Sequence, residues 1–292
     1  MIDKLDKVSG KVERLKELAS PCELCPRKCR ANRSNGEAGF CGVGDKPLVN
    51  SVGPHFGEES VLVGTGGSGT IFFAGCNLGC VFCQNYTISH HRTGIETSIE
   101  QLAKYMLGLQ KVGCANINLV TPTHTIAAIA EAIELARENG LHIPIVYNSG
   151  GYDSSDTLKI IEGLVDIYMP DMKYSDAVIA KELSSAVDYP QINQEAVLEM
   201  HRQVGDLQVR NGAAIKGLLV RHLVLPQNQA GSFEIIDFLA DKVSKRTAIN
   251  VMDQYRPRFK AGEFRQIDRK PTYHEIDSVK KYAIQKGLTI IN

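Results

Sequence analysis

From residue 70 onward, short apolar runs alternate with segments whose apolar residues recur at three- and four-residue steps. The runs cover 70–74, 116–121, 143–148, 165–170, 217–225 and 248–252. Between them, helical periodicity covers 97–111, 125–139, 154–163, 176–185 with 193–210, and 232–244. A last helix over 274–286 precedes an apolar stretch at 288–291. Strands separated by helices imply right-handed crossovers and a parallel sheet. Six such repeats predict an α/β fold, a partial (β/α)6 TIM-like barrel, more readily than an open doubly wound sheet, and periodicity alone is compatible with both. In either fold the chemistry gathers at the C-terminal ends of the strands, which singles out 75–83, 121–124, 148–152, 169–173, 221–226 and 252–256. Further upstream, Leu5, Val8, Val12, Leu15 and Leu18 mark an amphipathic helix over 3–19 that packs on the barrel. The expected division is a small N-terminal module over 1–50 and the barrel over 51–292.

Charge and composition narrow the function classes. The 292 residues carry 33 basic and 33 acidic side chains, a net charge of zero, so neither nucleic acid nor a membrane surface gains a general attractive field. No apolar run approaches the roughly 18 residues that span a bilayer. The N-terminal stretch MIDKLDKVSGKVERLKEL mixes acids and bases and has no apolar core of a secretory signal. A reducing, cytoplasmic location is therefore expected, where eight cysteines read as metal ligands or reactive thiols rather than disulfides.

The cysteines fall in two groups. Cys76, Cys80 and Cys83 form a C-x3-C-x2-C run directly after the first strand of the repeat, with Gly75 and Gly79 removing bulk around it. A cubane cluster takes four thiolates, one per iron. Three in one loop leave a position open, the mark of a catalytic rather than a structural metal. Cys22, Cys25, Cys29 and Cys41 form the second group, in a segment rich in Pro and Gly with little core of its own. Four thiolates make a closed set that fits structural zinc or a second iron–sulfur cluster equally well, and binding would stabilise such a loop directly. Cys114 stands alone and reads as a buried thiol.

The run GSGTIFFAGCNLGCVFCQN resembles the radical S-adenosylmethionine superfamily, and more closely the uncharacterised branch related to pyruvate formate-lyase activating enzymes. CELCPRKCRANRSNGEAGFCGV, VTPTHT, YMPDMKY and RHLVLP extend the resemblance over most of the chain. It implies that Cys76, Cys80 and Cys83 ligate a [4Fe-4S] cluster and that S-adenosylmethionine chelates the open iron. Reductive cleavage would then release a 5′-deoxyadenosyl radical that abstracts hydrogen. Phe82 would pack near the adenine, or serve as a core aromatic. A reductant such as flavodoxin or ferredoxin is implied as electron donor. A glycyl-radical enzyme is the implied protein substrate, with a small molecule or an RNA base as the alternative. A reading of another class is a non-catalytic iron–sulfur protein for electron transfer or sensing; a zinc-stabilised scaffold is a further one.

The remaining candidates sit at the other strand ends. Where the superfamily carries Gly-Gly-Glu for the ammonium of S-adenosylmethionine, this chain has Thr121-Pro122-Thr123-His124. Thr121 and Thr123 could accept its hydrogen bonds, or Thr123 could cap the following helix; His124 reads as a capping or core histidine. Activating enzymes hold a monovalent cation with an Asp-Thr pair and a Met-x-Asp pair. Met169 and Asp171 match the second, while Asn148 and Ser149 replace the first and remove one charge. Lys173 is the alternative partner for Asp171, since a buried carboxylate needs one. The resemblance places Arg221 near the carboxylate or ribose of S-adenosylmethionine, which a guanidinium suits, and leaves His222 facing the helices in a packing role. Residues 256–270 hold six bases against two acids, read as a solvated loop or a site for an anionic partner.

Overall fold

A computed structural model describes residues 2–291, with side chains from residue 10 onward, so Leu5 and Val8 of the N-terminal stripe lie outside the described side chains. The first part of the chain runs through α1 (Ile2–Ala19), β1 (Leu48–His55), α2 (Ser60–Val63), β2 (Ser68–Phe73), α3 (Tyr86–Ser89) and β3 (Ile95–Glu96). Next come α4 (Ile99–Lys111), β4 (Ile117–Val120), α5 (Ile126–Glu138), β5 (Ile145–Ser149), α6 (Ser155–Ile160) and β6 (Ile167–Pro170). The last part contains α7 (Ala177–Ser184), α8 (Tyr189–Val204), β7 (Gln208–Arg210), β8 (Ala213–Leu223), α9 (Ser232–Phe238), β9 (Ala248–Met252), α10 (Tyr273–Gln285) and β10 (Thr289–Ile290).

All six expected strands are present, as β2, β4, β5, β6, β8 and β9, paired in parallel in that order. β10 extends the parallel run beyond β9, and β1 and β3 add an antiparallel flank beyond β2. The sheet therefore ends on β10 at one side and β3 at the other, an α/β arrangement consistent with a partial barrel. Two segments depart from the periodicity. The helix expected over 193–210 stops at Val204, because Gly205 takes a positive φ of 71° and the chain turns into β7, which pairs antiparallel with β8. The helix over 232–244 ends in a π-helical turn, Leu239–Val243.

Side-chain alternation divides each strand between two environments. Outward residues such as Ile71, Leu119, Tyr147, Tyr168 and Val220 join the helices in the main core. Val12 and Leu15 of α1 belong to that core, and α1 packs against α5 and α6. Inward residues make a smaller apolar layer of Val146, Ile167, Met169, Leu219 and Ala248, plugged by Leu62 from α2. The same inward faces carry Asn118, Asn148, Arg221 and Asn250 one step further along, so the interior is apolar at one level and polar at the next. Cys114 is buried in the outer core. No helix among the described residues is long and apolar enough to cross a membrane.

His222 faces the helices and is fully buried. Its Nδ1 donates to the Met172 carbonyl at 2.7 Å and its Nε2 accepts the Ser232 hydroxyl at 2.8 Å. Burial holds its pKa down to about 4. Below pH 6.5 the unfolded chain takes up a proton that the folded one refuses, so stability falls as the pH drops from 6.5 towards 4. Melting temperature measured across that window is expected to fall less steeply in His222→Gln than in wild type.

Candidate functional site

The three-cysteine loop leaves β2 at the mouth of the barrel. Gly75 and Gly79 adopt positive φ of 82° and 73°, which a side chain would strain. At Gly75 space is short as well: a Cβ would come within 2.6 Å of Val43 and 2.7 Å of the Cys41 carbonyl. Each sulfur receives or shares a hydrogen bond. The Leu78 N–H meets Cys76 Sγ at 3.3 Å, the Ser184 hydroxyl meets Cys80 Sγ at 3.0 Å, and Cys83 Sγ lies 3.1 Å from Ser89 Oγ. Burial pushes all three thiols up, and each one raises another further. A group of buried thiols disfavours ionisation on its own. A bound cationic metal reverses that balance, because coordination supplies the charge that burial removes.

Little regular secondary structure holds this loop. Its carbonyls are gathered instead by Arg27, from the N-terminal segment, whose guanidinium donates to Asn77 O at 2.8 Å and to Leu78 O and Ser184 O at 3.0 Å, and also to Ser185 O. The same group stacks 3.9 Å from the Phe40 ring centroid. Asn77 adds a bond to the Tyr152 carbonyl at 2.7 Å, and Val81 N–H one to Leu183 O at 2.9 Å.

Around the loop lies a cavity of about 240 Å³ whose walls include Phe82, Thr121, Asn148, Ser149, Asp171, Lys173 and Arg221. Of the residues singled out from sequence, these six besides Lys173 come together with the three cysteines. Thr123 and Met169 do not line it. Thr123 Oγ1 donates to Asp153 at 2.6 Å, and Met169 is buried in the apolar layer. Phe82 is both a wall and a core aromatic, edge-on to Tyr174 and Tyr255 at 6.3 and 5.7 Å. Thr121 is strained, with a φ of 61° that a β-branched residue rarely adopts.

Asp171 is held by two cations. Lys173 Nζ lies 2.5 Å away and Arg221 Nε 2.9 Å, while Arg221 Nη2 donates to Asn148 Oδ1 at 2.6 Å. Burial alone would push the Asp171 carboxyl up, but Arg221 and then Lys173 hold it below the usual range. Lys173 also sits near enough to the loop to favour the ionised form of all three thiols.

The four N-terminal thiols are also drawn together. Cys22 and Cys29 lie close enough to perturb one another, and burial, with Cys22, Cys41 and Cys29 adding to it, pushes Cys25 up to about 12. Cys41 accepts from Arg33 Nη2 at 3.4 Å, and Arg33 Nη1 donates to the His124 carbonyl at 2.6 Å, tying this group to the turn between β4 and α5. All eight cysteines are free thiols. Among the described residues, no three His, Cys, Asp or Glu side chains converge as a single-ion cage.

Residues 70–239 match the family model of the radical SAM superfamily. The chain belongs to the radical SAM superfamily. It is 32% identical to the uncharacterized protein MJ0674 of Methanocaldococcus jannaschii, over 96% of this chain and 79% of that one. The uncharacterized protein MJ0808 of the same organism is 24% identical, over 96% of this chain and 82% of that one. Among solved structures, a radical SAM methyltransferase from Sphaerobacter thermophilus superposes with a TM-score of 0.51 at 12% identity, covering 76% of this chain; this chain spans 65% of that protein's length. That likeness concerns the fold.

For a radical SAM protein the donor set fits what the family implies, a [4Fe-4S] cluster with S-adenosylmethionine. Three thiols on one loop, glycines where the backbone needs room, and an adjoining cavity that several polar and charged side chains help to line are all present. Two contributors carry no sequence signal of their own. Arg27 acts through a contact 50 residues distant, and Asp153 gathers the hydroxyls of Thr123, Tyr147 and Ser149 at 2.6, 2.9 and 2.6 Å. His124 is buried with Nε2 on the Ala74 carbonyl at 2.9 Å, a structural role.

Arg27→Ala is expected to lower the unfolding free energy by about 2–3 kcal/mol and to reduce the iron retained per chain after anaerobic reconstitution. Arg27→Lys should recover less than half of the stability, because an ammonium has no planar fork to span several carbonyls and no face to stack. Denaturant unfolding with iron analysis checks both.

Proposed function

We propose that this chain binds a [4Fe-4S] cluster through Cys76, Cys80 and Cys83, binds S-adenosylmethionine in the adjoining cavity, and abstracts hydrogen from a substrate held beside it. The observation that carries the reading is the loop of three thiols, one short of a full set, opening onto a largely apolar cavity at the strand ends that Asn148, Asp171, Lys173 and Arg221 help to line. With both groups bound, the chemistry supplied is one-electron cleavage of the sulfonium to a carbon radical. The protein's own part is to hold and shield. Arg27 fixes the loop, Phe82 and Leu223 wall the cavity against water, Asn148 and Ser149 present polar atoms, and Lys173 places a positive charge beside the sulfurs. Thr121 offers backbone and hydroxyl groups where other members carry Gly-Gly-Glu. The electron would come from a donor such as flavodoxin or ferredoxin.

The activating-enzyme reading, with a glycine of a partner enzyme as hydrogen source, rests on Met169 and Asp171. Asp171 here is neutralised by Lys173 and Arg221, which occupies the carboxylate that a monovalent cation would need. A small substrate is the reading we favour, because a second chamber adjoins the first. Residues 1–50 would form a metal module, zinc or iron–sulfur, docked on the barrel of 51–292.

Anaerobically reconstituted protein with dithionite and S-adenosylmethionine should form 5′-deoxyadenosine, and Cys80→Ala should fall to background. Absence of product from wild type with an intact cluster would instead support a non-catalytic electron carrier. Cys25→Ser should lose the second metal, zinc or iron by elemental analysis, while keeping the iron bound at residues 76–83.

A further inference from the structure

A second cavity, about 550 Å³, lies between the unjoined flanks of the sheet. One wall comes from His55 and Phe72, at β1 and β2, and the other from Asn250 and Asp253, at β9 and just beyond it. It shares Phe72, Asn85, Asn148 and Arg221 with the cavity beside the cysteine loop, so the two form adjoining chambers. The volume suits a small molecule, for which about 300–1,000 Å³ is usual.

Glu58 and Glu59, at the turn into α2, line this chamber. Glu59 is only 5% exposed, and its Oε1 accepts from Asn250 Nδ2 at 2.9 Å. Its Oε2 is buried and has no hydrogen-bond partner in the protein. A buried acceptor without a donor is unfavourable, and a ligand bearing N–H groups relieves it. The charges point the same way. Lys280 is paired with Asp253 at 3.3 Å, and Arg221, which faces both glutamates, directs two of its nitrogens to Asp171 and Asn148. His55 Nε2 lies 4.0 Å from Glu58. Two neighbouring acids are left with partial compensation.

We propose that this chamber is the substrate subsite and that Glu58 and Glu59 recognise a small organic cation, an ammonium or guanidinium group whose N–H donors reach Glu59 Oε2. The assignment deepens the radical reading above and rests on it. The carbon that loses hydrogen would then lie on the side of the molecule facing the cysteine loop.

Calorimetric titration of the anaerobically reconstituted holoprotein with S-adenosylmethionine present tests this. Putrescine and agmatine serve as cation probes, 1,4-butanediol as a neutral analogue, and succinate as an anion. Saturable binding of the two cations but not of the diol or succinate is expected, weakened about tenfold or more by Glu59→Gln and less by Glu58→Gln. Equal binding of diol or succinate, no binding of either cation, or unchanged binding in both variants would overturn the subsite. Loss of cation binding when choline is replaced by sodium at matched ionic strength would overturn it too, in favour of an inorganic ion. If either variant misfolds, the wild-type probe series decides. The same preparation is assayed for 5′-deoxyadenosine. Its absence would count against the radical reading, whereas its presence without cation binding would remove the subsite alone.

Discussion

A loop that carries three sulfurs must hold them with little helix or strand to satisfy its backbone, and this protein meets much of that constraint with one guanidinium. Arg27 binds carbonyls from two separated stretches, 77–78 and 184–185, and so ties the cysteine loop to the end of α7. The planar fork matters because it spans several acceptors at once and stacks on Phe40. Since Arg27 lies between Cys25 and Cys29, the shape of the cysteine loop depends on how the N-terminal segment folds. Gly75, packed against Val43 and the Cys41 carbonyl, repeats the dependence from the other side. The two cysteine groups are therefore one mechanical assembly.

The second organising element is the charge arrangement inside the barrel. Asp171, Lys173 and Arg221 form a buried network, extended to Asn148, which fixes the boundary between the two chambers. Burial of such charges is costly unless every one is paired, and removing one partner leaves an uncompensated charge. The network places Lys173 toward the sulfurs and Arg221 toward Glu58 and Glu59.

The parallel sheet was legible in the sequence because apolar runs flanked by helical periodicity have few other solutions, and all six strands appear where the runs lie. The cysteine loop was equally legible, since its spacing and its place after a strand are local properties. The antiparallel flank was not. β1 contains Gly53 and Pro54 and is largely exposed, so its pattern resembles a loop. Arg27, Asp153 and Glu59 escaped for a different reason. Arg27 and Glu59 act through contacts 50 and 191 residues apart, and Asp153 joins its near neighbours Tyr147 and Ser149 to Thr123, 30 residues away, pairings that no local pattern encodes. Thr123 was open between cap and ligand, and the buried carboxylate of Asp153 is where its hydroxyl goes.

The central claim is that the loop leaves one metal position for a ligand other than protein. Electron paramagnetic resonance of the reduced, reconstituted protein tests it directly, with S-adenosylmethionine added and its carboxylate labelled with oxygen-17. The account predicts that the cluster signal shifts on addition and broadens with the label. An identical signal with and without S-adenosylmethionine would contradict it.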